Sequence, residues 1–384
     1  MIYLDNNATT SVAKEVLEAM MPFLTDSYGN PSSAHTFGRR SREAVERARE
    51  SVAAFLGAGD PAEIVFTSCG TESDNWAITG AMEVAAGRDH IVTTKVEHEA
   101  VRNLCVELEK KGIRVTRIEV DGEGLIDPHE VAAAVTPQTA IVSVMHANNE
   151  TGVIFPVEEI ARLVKQRSDA LVHVDGVNAA GKVPIDLKSS AIDVYAISGH
   201  KFHAPKGVGA VYIRSGTDLG PGFVGGGQEN GRRAGTEAVH QIVGLGAAAD
   251  LVRDMSAMSQ VQGLRDRLEH RIVEEIADSR VNGTSDPTKR LPNTSNISFA
   301  NTNGEAMLAR LDAEGIYVST GSACASADHA ASPVLQAMNI PYSYAMGSIR
   351  FSLSRYTTEE EIEKVIAALP RIVSDLRALA GTGL

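Results

Sequence analysis

Ala170-Leu171-Val172-His173-Val174-Asp175 is an almost continuous apolar run closed by a carboxylate. A run this apolar reads as a strand buried on both faces of a parallel sheet, and its terminal acid is delivered to the sheet's C-terminal edge, where such sheets bind ligands. One strand later, Val194-Tyr195-Ala196-Ile197 leads into Ser198-Gly199-His200-Lys201-Phe202-His203, placing a lysine where a strand meets a loop rich in hydroxyl and imidazole groups. A lysine held there can condense with an aldehyde cofactor while its neighbours hold the cofactor's phosphate. An acid at the neighbouring strand end would keep a pyridine nitrogen protonated, the state in which the ring withdraws electrons. Each residue alone has a plainer explanation, a solvated lysine or a helix-capping aspartate. The pairing on successive strands is less easily explained that way.

Two further segments fit the same edge. The β-run over 63–67 breaks into Ser68-Cys69-Gly70-Thr71-Glu72-Ser73-Asp74-Asn75 before a helical stretch, so Gly70 and Thr71 would offer donors to an anion at a helix N-terminus, although such residues are first of all caps. The strand over 90–94 runs into Val96-Glu97-His98-Glu99-Ala100. That puts His98 in a loop on the same edge, able to stack on an aromatic ring and to exchange protons near neutrality.

Strands and helices alternate along the chain. Apolar residues at spacings of three and four predict a helix over 41–56. Further elements follow at 139–145, 157–166, 170–175, 193–198 and 208–213, the βα signature of a mainly parallel sheet, with 209–213 as a hairpin-like neighbour. A long helical tract is expected over 239–276, then strands at 295–299, 316–318 and 350–353. The last helix opens with the capping box Thr358-Glu359-Glu360-Glu361 and carries Ile362, Val365, Ile366 and Leu369 on one face.

The chain has 384 residues, a length that calls for two packed units. A net charge of -13 argues against nucleic acid or an anionic membrane as the main partner. Three cysteines make no disulfide framework, no metal-ligand set is read, and the N-terminus shows no basic and apolar leader. With no apolar run long enough to span a bilayer, the expectation is a soluble protein of a reducing cytoplasm.

Motifs from end to end then carry a resemblance. They include Tyr3-Leu4-Asp5-Asn6-Asn7-Ala8-Thr9-Thr10, Gly29-Asn30-Pro31-Ser32-Ser33, Thr71-Glu72-Ser73-Asp74-Asn75 and His146-Ala147-Asn148-Asn149-Glu150-Thr151-Gly152. To these add Ser198-Gly199-His200-Lys201, Gly231-Arg232-Arg233-Ala234-Gly235-Thr236, Gly321-Ser322-Ala323-Cys324-Ala325-Ser326 and Ser348-Ile349-Arg350-Phe351-Ser352-Leu353-Ser354-Arg355. In this order the chain resembles the NifS-type cysteine desulfurases, fold-type I enzymes that use pyridoxal 5′-phosphate (PLP) to move sulfur from cysteine. The resemblance implies an α/β fold: a mainly parallel central sheet flanked by helices in a large PLP-binding domain, 13–255, and a smaller α+β C-terminal domain, 256–384 joined by 1–12.

It also implies roles. Lys201 anchors the cofactor, Asp175 holds the ring nitrogen and His98 stacks on the ring. Gly70, Thr71, Ser198 and His200 bind the phosphate, with Thr236 reaching it from the other subunit of a homodimer. Asn149 and Arg350 bind the carboxylate of L-cysteine. Cys324 receives the sulfur as a persulfide and passes it to an iron–sulfur scaffold or another acceptor, so that nitrogenase maturation, general cluster assembly and thiolation stay open. Read from composition alone, Cys324 sits among glycine, serine and alanine residues that build no core, which predicts an exposed, reactive thiol in a mobile loop. Two positions depart from the family: Asn178 stands where glutamine usually reaches the cofactor's ring oxygen, and Asn230 where arginine is common. Alternatives in view are a selenocysteine lyase or aminotransferase of the same fold, and a non-catalytic sulfur-transfer scaffold.

Overall fold

A computed structural model describes residues 1–85, 87–320 and 331–381. Its strands are, in chain order, β1 (Ile2–Tyr3), β2 (Ile64–Thr67), β3 (His90–Thr94), β4 (Arg114–Ile118), β5 (Thr139–Met145), β6 (Leu171–Asp175), β7 (Val194–Ser198), β8 (Gly209–Ile213), β9 (Ser279–Asn282), β10 (Thr294–Phe299), β11 (Ile316–Tyr317) and β12 (Ser348–Ser352). Seven of them form one sheet in the order β2-β8-β7-β6-β5-β3-β4. Strands β3 to β7 pair in parallel, while β8 runs antiparallel to both β7 and β2. The expected parallel sheet with a hairpin-like neighbour at 209–213 is thus present. Register sets Met145, Asp175 and Ala196 side by side across three parallel strands, which brings their ends to a common edge.

The apolar character of these strands follows from cover on both faces. Val92, Val142, Val172 and Ile197 share one cluster with Val52 and Phe55 of helix Thr36–Leu56, Ile160 and Val164 of helix Val157–Arg167, and Leu245 and Ala249 of helix Val239–Arg253. Each such branched aliphatic side chain, fully buried, contributes about 1.5–3 kcal/mol. A second cluster joins Ile2 and Leu4 to Leu268 of helix Ser256–Glu275, Ile297, Phe351, and the Ile362, Val365, Ile366 and Leu369 face of helix Glu359–Gly381. The capping box at that helix is formed, Thr358 N donating to Glu361 and Glu361 N to Thr358 Oγ1.

Several expectations need correction. The tract over 239–276 is two helices, broken where Asp254 turns extended and its carboxylate accepts the Ser256 amide at 2.9 Å; an aspartate that bonds the backbone two residues on competes with the helical ladder. The first long helix begins at Thr36, because the His35 ring accepts the Gly38 amide and caps it there. Strands β4 and β9 were not expected. β4 lies at the sheet edge with its arginines in ion pairs to Asp89 and Glu109, a charged edge that blunts further pairing and hides the alternation.

Candidate active site

Lys201 closes the 3-10 turn Gly199–Lys201 immediately after β7, and Asp175 is the last residue of β6. With Ala8, Gly70, Thr71, Asp74, His98, Asn149, Asn178, Ser198 and His200 they wall a cavity of about 290 Å³ at the sheet's C-terminal edge. Glycine is required beside the acid: a Cβ at Gly176 would sit 1.9 Å from the Tyr195 ring. That ring runs under the turn to hydrogen-bond His146 Nδ1 at 2.7 Å. Gly70 is similarly constrained, since a Cβ there would meet Val177 at 2.5 Å, and the helix Gly70–Val84 can therefore start hard against the turn that follows Asp175.

Lys201 Nζ donates to the carbonyls of Asn7 and Ala8. Burial, together with the nearby Arg350 charge, pushes its pKa down to about 8, against the pull of Asp175 and Asp5. Asp175 is buried. Burial raises its pKa, opposed by His98, the Val177 amide that Oδ1 accepts at 2.9 Å, and Lys201. Two more buried carboxyls lie close by. Glu97, which accepts from Thr94 Oγ1 and the Met145 amide, is pushed up to about 8 by burial, and Asp74 is raised well above the usual range by burial, then by Asp175 and Glu97.

His98 caps helix Glu99–Glu109, its Nδ1 accepting the Ala100 amide at 3.1 Å. That bond fixes Nε2 as the protonated nitrogen of the neutral ring. The ring is open to the cavity, while the surrounding wall desolvates it enough to lower its pKa, against the pull of Asp175.

The other end of the cavity holds uncommitted donors. Ser198 Oγ is buried without a hydrogen-bond partner, and helix Gly70–Val84 begins at Cys69 with no side-chain cap. Thr71 stands in its first turn, and His200, whose pKa burial and then Lys201 push down to about 4, is a neutral imidazole. Free amides at the positive end of a helix dipole, with hydroxyls and an uncharged ring, suit a phosphate group. The donor set thus fits PLP: an amine to carry the aldehyde, a carboxylate for the ring nitrogen, and donors for the phosphate.

Other expected residues lie differently. Arg350, on β12, is buried, donates to the Asn149 carbonyl at 3.0 Å and pairs with Asp5 at 2.7 Å, leaving Nε without a partner. It stands behind Asn149 and outside the cavity wall. Thr236 is exposed and does not line the cavity of its own chain. It follows Arg233, which pairs with Glu72 at 2.8 Å and so ties two distant motifs together. Cys324 lies outside the described residues. Asp5, Asn7, Asp74, Glu97 and Lys182 were given no role in the sequence reading, although Asp5, Asn7 and Asp74 lie inside the motifs quoted there.

A buried lysine, a strand-end carboxylate and unpartnered donors at one edge of a mainly parallel sheet suit a PLP-dependent enzyme of fold type I. Residues 2–365 match the aminotransferase class-V family. The chain is 55% identical over 381 residues to a cysteine desulfurase of Trichormus azollae, covering 99% of this chain and 94% of the relative. It is 50% identical to the cysteine desulfurase NifS of Azotobacter vinelandii, covering 98% and 93%. A solved structure described as a NifS-like protein superposes with a TM-score of 0.91 at 40% identity, covering 98% of this chain and all of that one. The chain belongs to the class-V aminotransferases and, within them, to the cysteine desulfurases. Among the described residues no helix is long and apolar enough to cross a membrane.

Proposed function

We propose that the cavity carries out cysteine desulfuration with Lys201 as anchor and base, and with sulfur leaving on Cys324. The observation that carries this reading is the gathering of Lys201, Asp175, His98 and the unpartnered Ser198 hydroxyl around one cavity. PLP, when bound, supplies an electron sink that acidifies the α-proton of an amino-acid substrate. Ser198, Thr71, His200 and the Gly70 amide would hold its phosphate, Asp175 would keep its ring nitrogen protonated, Asn178 would serve its ring oxygen and His98 would pack on the ring. Once the substrate amine releases Lys201, its Nζ takes the α-proton and returns it, a task suited to an amine whose pKa lies near 8.

Asn149 and Arg350 hold the substrate carboxylate, which replaces Asp5 as the partner of the guanidinium. The Cys324 thiolate attacks the substrate sulfur, the carbon–sulfur bond breaks, the sulfur remains on Cys324 as a persulfide, and alanine leaves. An acceptor thiolate, such as one on an iron–sulfur scaffold protein, then takes the terminal sulfur.

The reading includes a homodimer, because Thr236 is exposed and remote from its own cavity and so available to a second copy's phosphate site. It also includes a division into a large unit, 13–255, and a small one, 256–384 with 1–12, supported by the cluster that joins Ile2 and Leu4 to residues of the C-terminal part. A cytoplasmic location fits the free thiols of Cys69 and Cys105. Mass spectrometry after incubation with cysteine tests the central claim: Cys324 gains one sulfur atom, and a candidate scaffold removes it. Parent-level sulfide release by Cys324→Ala would sink it.

A further inference from the structure

Behind Asn178 lies a lysine that the proposed chemistry does not use, its pKa pushed down to about 7 by burial and then by Lys201 and Arg350. Lys182 is buried, and among the described residues it forms no ion pair. Its Nζ donates to the carbonyl of Asn178 at 2.7 Å and to the same residue's Oδ1 at 3.3 Å. The charged and titratable groups around it are largely basic. Lys201, His203 and Arg355 share with it a cavity of about 30 Å³, room for roughly two waters. Asp254, on the same wall, is occupied in capping Ser256. Arg350 is also close enough to disfavour its charge. Holding an ammonium ion in such a place costs free energy that a structural role alone would meet with methionine or leucine.

What the ammonium does is remove an ambiguity. A side-chain amide can sit either way round, donor or acceptor forward, and only its partners decide. The protonated amine of Lys182 has donors only and the Asn148 carbonyl accepts only, so the Asn178 oxygen faces Lys182 and its amide nitrogen faces Asn148, to which it donates at 3.3 Å. The nitrogen keeps a second N–H, and Asn178 lines the cofactor cavity. We propose that Lys182 is a positioning residue for Asn178: it holds the amide so that an N–H, never the carbonyl oxygen, is offered to the cofactor's ring oxygen. This rests on the reading that Asn178 faces that oxygen.

A donor at the ring oxygen stabilises negative charge there and lowers the pH at which the lysine-linked cofactor loses its proton. The test is a pH titration of the visible absorbance of the holoenzyme, read alongside the PLP dissociation constant. Lys182→Met is expected to raise the midpoint by on the order of one pH unit. Asn178→Ala raises it similarly, and the double variant moves it no further, because both substitutions remove the same bond. Lys182→Gln is the second variant should K182M not fold; its shorter amide cannot reach both acceptors, and the same upward shift is expected. A midpoint unchanged in K182M or K182Q but raised in N178A means that Lys182 does not act through Asn178, and overturns the proposal. A midpoint unmoved in N178A with PLP still bound shows that Asn178 is not at the ring oxygen, and the underlying assignment fails.

Discussion

The two ends of the cavity are built on opposite electrostatic plans. At the end proposed for the phosphate the donors are uncharged: Ser198, Thr71, the amide of Gly70 and a His200 ring kept neutral by burial. At the ring end three carboxyls, Asp74, Glu97 and Asp175, are buried together, and burial raises the pKa of each, opposed at Asp175 by His98, the Val177 amide and Lys201. The comparison separates holding from reacting. Dipoles and uncharged donors grip a charged group without competing for protons, whereas a charge placed against the ring changes how readily the bound substrate gives up a proton.

Substitutions should therefore divide by end. The largest effect is expected at the junction of the two: Lys201→Ala, assayed by alanine formation at saturating PLP, should lose about 10⁴-fold in turnover, and a loss under tenfold would remove the lysine from the chemistry. Asp175→Asn comes next. It should lower kcat by about 10²- to 10³-fold, chiefly in rate, with a comparatively small change in PLP affinity. Ser198→Ala should do the reverse, weakening PLP binding by about tenfold, the worth of one hydrogen bond to a charged group, while kcat at saturating PLP stays near the parent value. If D175N and S198A showed the same ratio of rate loss to affinity loss, the division between the ends would be wrong.

The gentlest test is pH. PLP capture requires Lys201 neutral, and its pKa is lowered to about 8 from the lysine value near 10.5. Below that pKa the neutral fraction, and with it the capture rate of the apoprotein in stopped-flow absorbance, should rise about tenfold per pH unit. It should level off above pH 8. A rate still climbing beyond pH 10 would mean that the amine is not desolvated as the geometry requires.

Much of this was legible because parallel strands announce themselves. Apolar runs leading to Asp175 and to the turn that carries Lys201 point to both the sheet and the edge at which its chemistry gathers, and His98 follows from the same logic two strands over from Asp175. What stayed hidden depends on contacts across long stretches of chain. The break at Asp254 leaves helical periodicity intact on both sides, so only the turn its carboxylate makes with the Ser256 amide reveals it. The arginines of β4 satisfy an edge that sequence alternation cannot distinguish from a polar loop. Arg350 reads as a lone charge in an apolar strand until Asp5, from the opposite end of the chain, is seen beside it. Lys182 carries no signal at all, since nothing local indicates that a lysine four residues after Asn178 turns inward to hold it.

The pairing of the chain's two ends also bears on how the protein is made. Lys201 leans on the carbonyls of Asn7 and Ala8, and Asp5 is bound to Arg350, 345 positions further along. At ribosomal speeds of roughly 5–20 residues per second, the opening residues wait roughly 20 to 70 s for that partner to emerge. The large sheet can form meanwhile, and so can the cavity wall, whose lining residues all lie between Ala8 and Lys201. The contact that fixes Asp5 is thus among the last to be made, and it ties the chain's opening residues to a β-strand near its other end.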